Sequence, residues 1–308
     1  MNVEILTYAG LFIGSLAVLL KASDWFIDSA EEIGLSFGIS PYIIGVTIIA
    51  FGTSLPELAT SVASVFAGES EIVLGNVIGS NITNIALVLG LVAIYVKEVK
   101  LKTDIWKIDM TFLWFTAFFL WFIVQDLHVS YLEAGLLLMT LVVFLFYSLK
   151  SDDDEEKEIH PKASVKSYVL MFVGAALVWL GAKYTVVSIQ ELSNIAGIGS
   201  GVIALSAVAL GTSLPEVIVS LNAAKKGKTG IAVGNVLGSN IFNTLAVVGI
   251  PAFIGDLVIQ PEILSFSLPL MLVMTILFGV MCFSRTISRW EGFILVIFYV
   301  YFLVELFT

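Results

Sequence analysis

Long apolar runs separated by short polar breaks dominate this chain. At the roughly 18–20 residues a helix needs to cross a bilayer, the pattern gives ten runs: 5–22, 40–66, 72–95, 106–125, 130–149, 166–188, 201–223, 231–254, 263–283 and 289–307. The expected fold is an all-α membrane protein of ten transmembrane helices. The second and seventh runs are each broken by the same six residues: Gly52-Thr53-Ser54-Leu55-Pro56-Glu57 and Gly211-Thr212-Ser213-Leu214-Pro215-Glu216.

Composition narrows the class. Of 308 residues, 58% are hydrophobic and 13% charged, more apolar surface than a soluble domain of this length could hide. Met1-Asn2-Val3-Glu4 has no basic region, so a cleaved signal peptide is not expected. Cys282 is the lone cysteine and lies in an apolar run; it reads as a small hydrophobe with no disulfide framework. His128 and His160 fall in expected loops, which argues against ligand roles. Much of the net charge of −10 comes from Asp152-Asp153-Asp154-Glu155-Glu156-Lys157-Glu158, which reads as a solvated linker. It lacks the glycine and ligand spacing of an EF-hand loop. Asp24 and Trp25, just past the first run, read as interface anchors.

The six-residue repeat is part of a longer one. A constant offset of 159 aligns Gly38 with Gly197, Ala50 with Ala209, Glu57 with Glu216 and Gly68 with Gly227. It also aligns Gly75-Asn76-Val77-Ile78-Gly79-Ser80-Asn81-Ile82 with Gly234-Asn235-Val236-Leu237-Gly238-Ser239-Asn240-Ile241, and Asn84 with Asn243. One gapless offset over this length implies two homologous five-helix halves, 1–149 and 166–308, with 150–165 as an acidic linker.

Five helices per half is an odd number, so the second half enters the membrane from the opposite side. With the N-terminus outside, 14 of the 15 Lys and Arg residues fall in inside connections, and Lys183 alone faces outward. The positive-inside rule therefore places both termini outside and the 150–165 loop in the cytoplasm of a cell-membrane protein. Inverted repeats with interrupted helices are a signature of secondary transporters, whose sites lie near the midplane.

The chemistry of the repeated segments fits a cation. A carboxylate within hydrocarbon is costly and by default marks a functional site. Pro56 has no N–H and leaves the Gly52 carbonyl without its helical donor. In lipid a freed carbonyl persists only where something else satisfies it. On a continuous helix, Ala50, Thr53, Ser54 and Glu57 share one face, as do Ala209, Thr212, Ser213 and Glu216. The Gly75/Gly79 and Gly234/Gly238 pairs permit close helix approach, while Ser80, Asn84, Ser239 and Asn243 add neutral oxygens. An all-oxygen set suits hard cations such as Ca²⁺ rather than zinc or copper. Two carboxylates balance one divalent or two monovalent ions. For Asn76, Asn81, Asn235 and Asn240, hydrogen bonding between helices competes with ion contact. A buried, protonated Glu at a proline kink is the structural alternative; the duplication argues against it.

At these motifs the chain resembles the sodium/calcium exchangers of the calcium:cation antiporter superfamily, with alpha repeats at about 40–90 and 199–249. The resemblance implies that Glu57 and Glu216 bind Ca²⁺ together with the carbonyls of Thr53 and Thr212. It further implies sodium sites at Ala50, Ser54, Ser80, Ala209, Ser213 and Ser239, with Asn84 and Asn243 lining the middle of the cavity. Potassium-dependent relatives carry Asp where this chain has Asn243, which argues against potassium transport. Proton-coupled relatives carry a glutamate shortly after Gly-Asn. This chain has none there, which favours sodium.

The expected activity is Na⁺/Ca²⁺ antiport by alternating access, with H⁺/Ca²⁺ antiport on the same fold as the alternative. A cation channel would need a continuous pore, usually built from oligomeric rings. An enzyme would need a nucleophile–base pair, which the membrane segments lack. No cofactor is expected beyond the transported Ca²⁺ and Na⁺. The expected partners are those ions and the lipid bilayer, with no nucleic acid, and the chain is read as a monomer.

Overall fold

The computed structural model describes residues 2–101, 106, 109–150, 162–195 and 211–307. In chain order the helices are α1 (Asn2–Ser36), α2 (Pro41–Ala67), α3 (Glu71–Val96), α4 (Asp109–Ile123), α5 (Tyr131–Lys150), α6 (Val165–Ile195), α7 (Leu214–Lys225), α8 (Thr229–Ile254), α9 (Ile263–Cys282) and α10 (Arg289–Phe307). A two-stranded antiparallel ribbon, β1 (Glu98–Lys100) with β2 (Thr286–Ser288), pairs Val99 with Ile287 and ties the exit of α3 to the entry of α10. Among the described residues the fold is otherwise all-α. Among the described residues, α1, α2, α3, α5, α6, α8 and α9 are long and apolar enough to cross a membrane.

Burial sorts the helices into a core and a shell. α3 and α8 are the most enclosed, with α2 next, whereas α1, α5 and α6 turn most of their surface outward. The outward faces carry large apolar side chains such as Leu6, Phe146 and Phe172. That arrangement suits lipid as the solvent. α1 packs along α6 as a pair at the periphery. Gly181 of α6 lies so close to α1 that a Cβ there would come 2.9 Å from that of Leu19.

The two halves end their motif helices alike. Gly68 after α2 and Gly227 after α7 have φ of 79° and 75°, a left-handed conformation open to glycine at little cost. Around each, the next N–H reaches back to close the helix: Glu69 N–H to Ser64 O at 2.9 Å, and Lys228 N–H to Ala223 O at 2.9 Å. These glycines are 159 apart in the sequence, so the repeat extends into backbone geometry.

Several expectations are corrected. The first helix does not stop near 22; it runs to Ser36. Asp24 and Trp25 therefore sit within it rather than near its end. Asp24 pairs with Lys226 at 3.0 Å, which also meets Asp28 at 2.8 Å. Lys228 joins Asp28 at 2.7 Å and Glu31 at 2.6 Å. The sixth helix runs to Ile195 rather than 188. Among the described residues of the fourth run, the α-helix covers Asp109–Ile123 and a short 3-10 turn follows. Only the Gly234/Gly238 pair makes a close helix contact. A Cβ at Gly234 would lie 2.9 Å from Val46 N, and one at Gly238 would lie 2.7 Å from the Cβ of Ala50. Among the described residues, nothing lies within 4 Å of a Cβ at Gly75 or Gly79. They line a cavity of about 460 Å³ instead. Cys282 is buried and free, as expected of a small core residue. His128 lies 3.8 Å from Asp256 between two exposed loops. His160, the acidic run 152–158 and Ala209 lie outside the described residues.

Candidate functional site

The motif segments do not form continuous helices. In α2, a π-helical stretch at Gly45–Ile49 is followed by one α-turn, Ala50–Thr53. Ser54 then leaves the helical region with φ −87° and ψ 2°, and a new helix starts at Leu55 with Pro56 in its first turn. Ser213 has φ −86° and ψ 3° and α7 starts at Leu214 with Pro215 likewise placed, so the second motif has the same break. Proline causes it: with no N–H to give, it is tolerated in the first turn of a helix and not inside one. Each glutamate thus stands in the first turn of a helix, where the positive end of the helix dipole favours a carboxylate. In α2, the carbonyl end of the preceding turn points at the same junction. One polypeptide break therefore supplies both an acid and exposed carbonyls.

The packing of α2, α3, α7 and α8 brings both breaks together. Ser54 Oγ donates to Glu216 Oε1 at 3.2 Å, a contact between the two motifs. Glu57, Glu216, Ser54, Ser213, Ala50 and Ser239 are completely buried, and Thr53 and Ser80 nearly so. Thr212 is half-buried and lines the cavity together with Asn76 and Ser80. Thr53 Oγ1 lies 3.4 Å from Ser239 Oγ, so the first motif also meets the helix expected to supply the second half's oxygens.

The hydrogen-bond inventory of this centre is incomplete. Both oxygens of Glu57, Oε2 of Glu216, the Ser213 hydroxyl and the whole amide groups of Asn84 and Asn243 are buried without a hydrogen-bond partner. Each such group ordinarily costs about 1–3 kcal/mol. No Lys, Arg or His pairs with either glutamate among the described residues. Nor do three His, Cys, Asp or Glu side chains cluster there. The centre is two acids surrounded by neutral oxygens, which a hard cation would complete.

Asn84 and Asn243 each open a π-helical stretch, Asn84–Leu89 and Asn243–Val247. Such single-turn bulges are frequent at functional sites. The sequence pattern gives no sign of them, because a bulge depends on local packing rather than on residue type. Of the other asparagines, Asn76, Asn81 and Asn235 are engaged between helices, whereas Asn240 Nδ2 donates to the Val236 carbonyl of its own helix at 2.7 Å and its Oδ1 has no partner. Asn76 Nδ2 donates to the Glu57 carbonyl at 3.2 Å and to Ser61 Oγ at 3.1 Å, while its Oδ1 accepts from Thr212 Oγ1 at 3.2 Å. Asn235 Nδ2 donates to Ser220 Oγ at 2.9 Å, and its Oδ1 accepts from Thr53 Oγ1 at 3.1 Å. Asn81 donates to Thr244 Oγ1 at 3.0 Å and to the Asn240 carbonyl at 3.4 Å. Ser61, Ser220 and Thr244 are absent from the sequence-based set. Ser61 and Ser220 are identical residues at the same 159-residue offset, and that signal would have found them.

The family described as "Sodium/calcium exchanger protein" matches residues 7–150 and 166–308. The chain belongs to the sodium/calcium exchanger family. It is similar to sodium/calcium exchanger MaX1 of Methanosarcina acetivorans, with 32% identity covering 95% of this chain and 96% of that protein. The membrane protein MJ0091 of Methanocaldococcus jannaschii is 33% identical over 94% of this chain and 95% of its own length. A solved structure of the sodium-calcium exchanger NCX_Mj, soaked with zero Na⁺ and Ca²⁺, matches with a TM-score of 0.87 at 31% identity, over 98% of this chain and 99% of that one. A member of this exchanger family is a multi-pass membrane transporter and not an enzyme.

Proposed function

We propose that this chain exchanges Na⁺ for Ca²⁺ across the cytoplasmic membrane by alternating access. The observation that carries the reading is the pair of fully buried carboxylates, Glu57 and Glu216, in motifs that meet where Ser54 bonds Glu216, and left with unsatisfied oxygens. Two negative charges in a low-dielectric centre demand compensation. One Ca²⁺ or two Na⁺ supply it equally, so the two cargoes would occupy one cavity in turn. Glu57 and Glu216, with the carbonyls of Thr53 and Thr212, would hold Ca²⁺. Ala50, Ser54, Ser80, Ala209, Ser213 and Ser239 would complete flanking Na⁺ sites, and Asn84 and Asn243 would line the middle. The names of the relatives support these two ions as cargo.

In this reading the chain crosses the membrane ten times, as two inverted five-helix repeats, 1–149 and 166–308, joined by the cytoplasmic linker 150–165. Both termini are outside, and one chain is a complete transporter. The matched backbone at Ser54 and Ser213, and at Gly68 and Gly227, supports the repeat. Bound ions would bias which side the cavity faces.

The test is ion flux. The purified protein is reconstituted in liposomes loaded with Na⁺, K⁺ or H⁺ in turn, and ⁴⁵Ca²⁺ entry is followed. Uptake driven by Na⁺ is expected, and it should vanish in Glu57→Gln and in Glu216→Gln while both variants still insert and fold. Substantial Ca²⁺ uptake by the double variant would overturn the site, and uptake driven only by H⁺ would overturn the choice of ion.

A further inference from the structure

We propose that Asn76 and Asn235 are positioning residues that set the direction of the two threonine hydroxyls at the site, and that Ser61 and Ser220 set the direction of the asparagines. The role presupposes that the two motif segments bind the cargo ions as described above.

An asparagine amide offers an acceptor on one side and two donors on the other, and its surroundings decide which way it faces. Both amides here face the same way. In the first relay the Asn76 nitrogen is directed at two acceptors, the Glu57 carbonyl at 3.2 Å and Ser61 Oγ at 3.1 Å, which turns its oxygen toward Thr212 Oγ1 at 3.2 Å. In the second, the Asn235 nitrogen is directed at Ser220 Oγ at 2.9 Å, which turns its oxygen toward Thr53 Oγ1 at 3.1 Å. The two relays use the same three residue types at the same offset, yet each crosses between the halves. Thr53 is on α2, while Asn235 and Ser220 are on α8 and α7. Thr212 precedes α7, while Asn76 and Ser61 are on α3 and α2.

The direction matters because a threonine hydroxyl has one proton. With an amide oxygen beside it, the threonine donates that proton away from the site and keeps its lone pairs for other partners. If the amide were reversed, its NH₂ would face the threonine. The threonine oxygen would then accept, and its proton would turn to another acceptor, which for Thr53 is the Ala50 carbonyl at 3.3 Å or Ser239 Oγ at 3.4 Å, both expected site groups. The relay therefore fixes the sign of the dipole shown to the cargo. Neither serine needs to touch an ion to do this.

The relays differ in one respect. Asn76 is anchored by a backbone carbonyl, which can only accept, whereas the Asn235 amide lies between the hydroxyls of Ser220 and Thr53 and keeps its direction only while Ser220 accepts. Removing the serine should therefore matter more in the second relay.

The experiment is Na⁺-driven ⁴⁵Ca²⁺ uptake by the full-length protein in liposomes, with KM and maximal rate measured separately. Ser220→Ala is expected to raise the Ca²⁺ KM by about tenfold, with the maximal rate within about twofold, the size of effect that follows from leaving one buried donor unpaired. Ser61→Ala should raise KM by a smaller factor, and Ser220→Thr, which keeps the oxygen, should restore most of the affinity. In an Asn235→Ala background, adding Ser220→Ala should change nothing further, because the serine acts through the asparagine. An unchanged KM in Ser220→Ala overturns the proposal. So does a fall in maximal rate alone, or a full additive effect in the double variant. Should Ser220→Ala not fold, Ser220→Cys, nearly isosteric but a weak acceptor, carries the same expectation of a raised KM, and an unchanged KM overturns it. Glu216→Gln is measured alongside. If it still transports Ca²⁺, the cation site itself fails; if it is inactive while Ser220→Ala behaves as wild type, only the relay fails.

Discussion

Gly238→Ala isolates how much the site depends on the contact between α8 and α2. A Cβ on Gly238 would run into the Val46 carbonyl and lie 2.7 Å from the Cβ of Ala50, against 3.4 Å for ordinary contact. Relief requires about 0.7 Å of movement at Ala50 and more at Val46, and Val46 presents backbone rather than a flexible side chain. Overpacking of this kind costs about 3 kcal/mol, at the upper end of the usual range. Replacing a helical glycine by alanine returns about 1 kcal/mol. The net loss is then about 2 kcal/mol. It falls between Ala50, an expected site residue, and Ser239, the residue next to the substitution. At Gly79, the matching position in the first half, no described atom lies within 4 Å of the added Cβ, so only the gain remains. Thermal unfolding in detergent and Ca²⁺ uptake in liposomes read both variants. Gly238→Ala should unfold at a lower temperature and take up Ca²⁺ with weaker affinity, while Gly79→Ala should unfold at the same temperature or higher. Equal melting temperatures for the two variants would refute the packing argument.

Other outcomes follow from the charges. Single cysteines at Asp153 and Lys226 should react with a membrane-impermeant label only from the cytoplasm, and one at Asp256 only from outside; native Cys282 is buried and should stay silent. The reverse pattern would invert the assigned orientation. Na⁺-driven Ca²⁺ flux should need no potassium on the calcium side, because Asn84 and Asn243 are neutral and the two glutamates balance one Ca²⁺; an absolute potassium requirement would contradict this. Lys228, outside the spans, is pulled down by burial but raised more by Asp28 and Glu31, so its pKa stands above the ordinary lysine value of 10.5. A raised folded-state pKa stabilises fully below the unfolded value and is lost as pH rises through the folded one. The melting difference between wild type and Lys228→Met should thus hold steady from about pH 6 to 9 and shrink only above about 10.5; a difference already vanishing near neutrality would dismiss the ion pairs as stabilising.

The apolar runs, the two motifs and the 159-residue offset were legible in the sequence because each is local. A helix buried in lipid needs a long apolar run whatever lies beside it, a proline breaks a helix wherever it occurs, and a duplicated segment matches itself without reference to contacts. The candidate acids and their neutral neighbours were found for the same reason. Helix ends were less legible. α1 passes 22 and continues to Ser36, and there Asp24, Asp28 and Glu31 meet Lys226 and Lys228 from a distant loop, contacts that no local pattern foretells.

Only the tertiary structure distinguished residues that the repeat makes equivalent. Gly234 and Gly238 are pressed against α2, while Gly75 and Gly79 line a cavity, although both pairs have the same spacing. Asn76 and Asn235 bridge helices, while Asn84 and Asn243 sit in π-helical turns with unsatisfied amides. A repeated sequence fixes what each half can offer. Which of those groups meet, and which are left for a cation, depends on how two similar halves pack against each other, and the energy of that packing belongs to pairs of residues more than 100 positions apart.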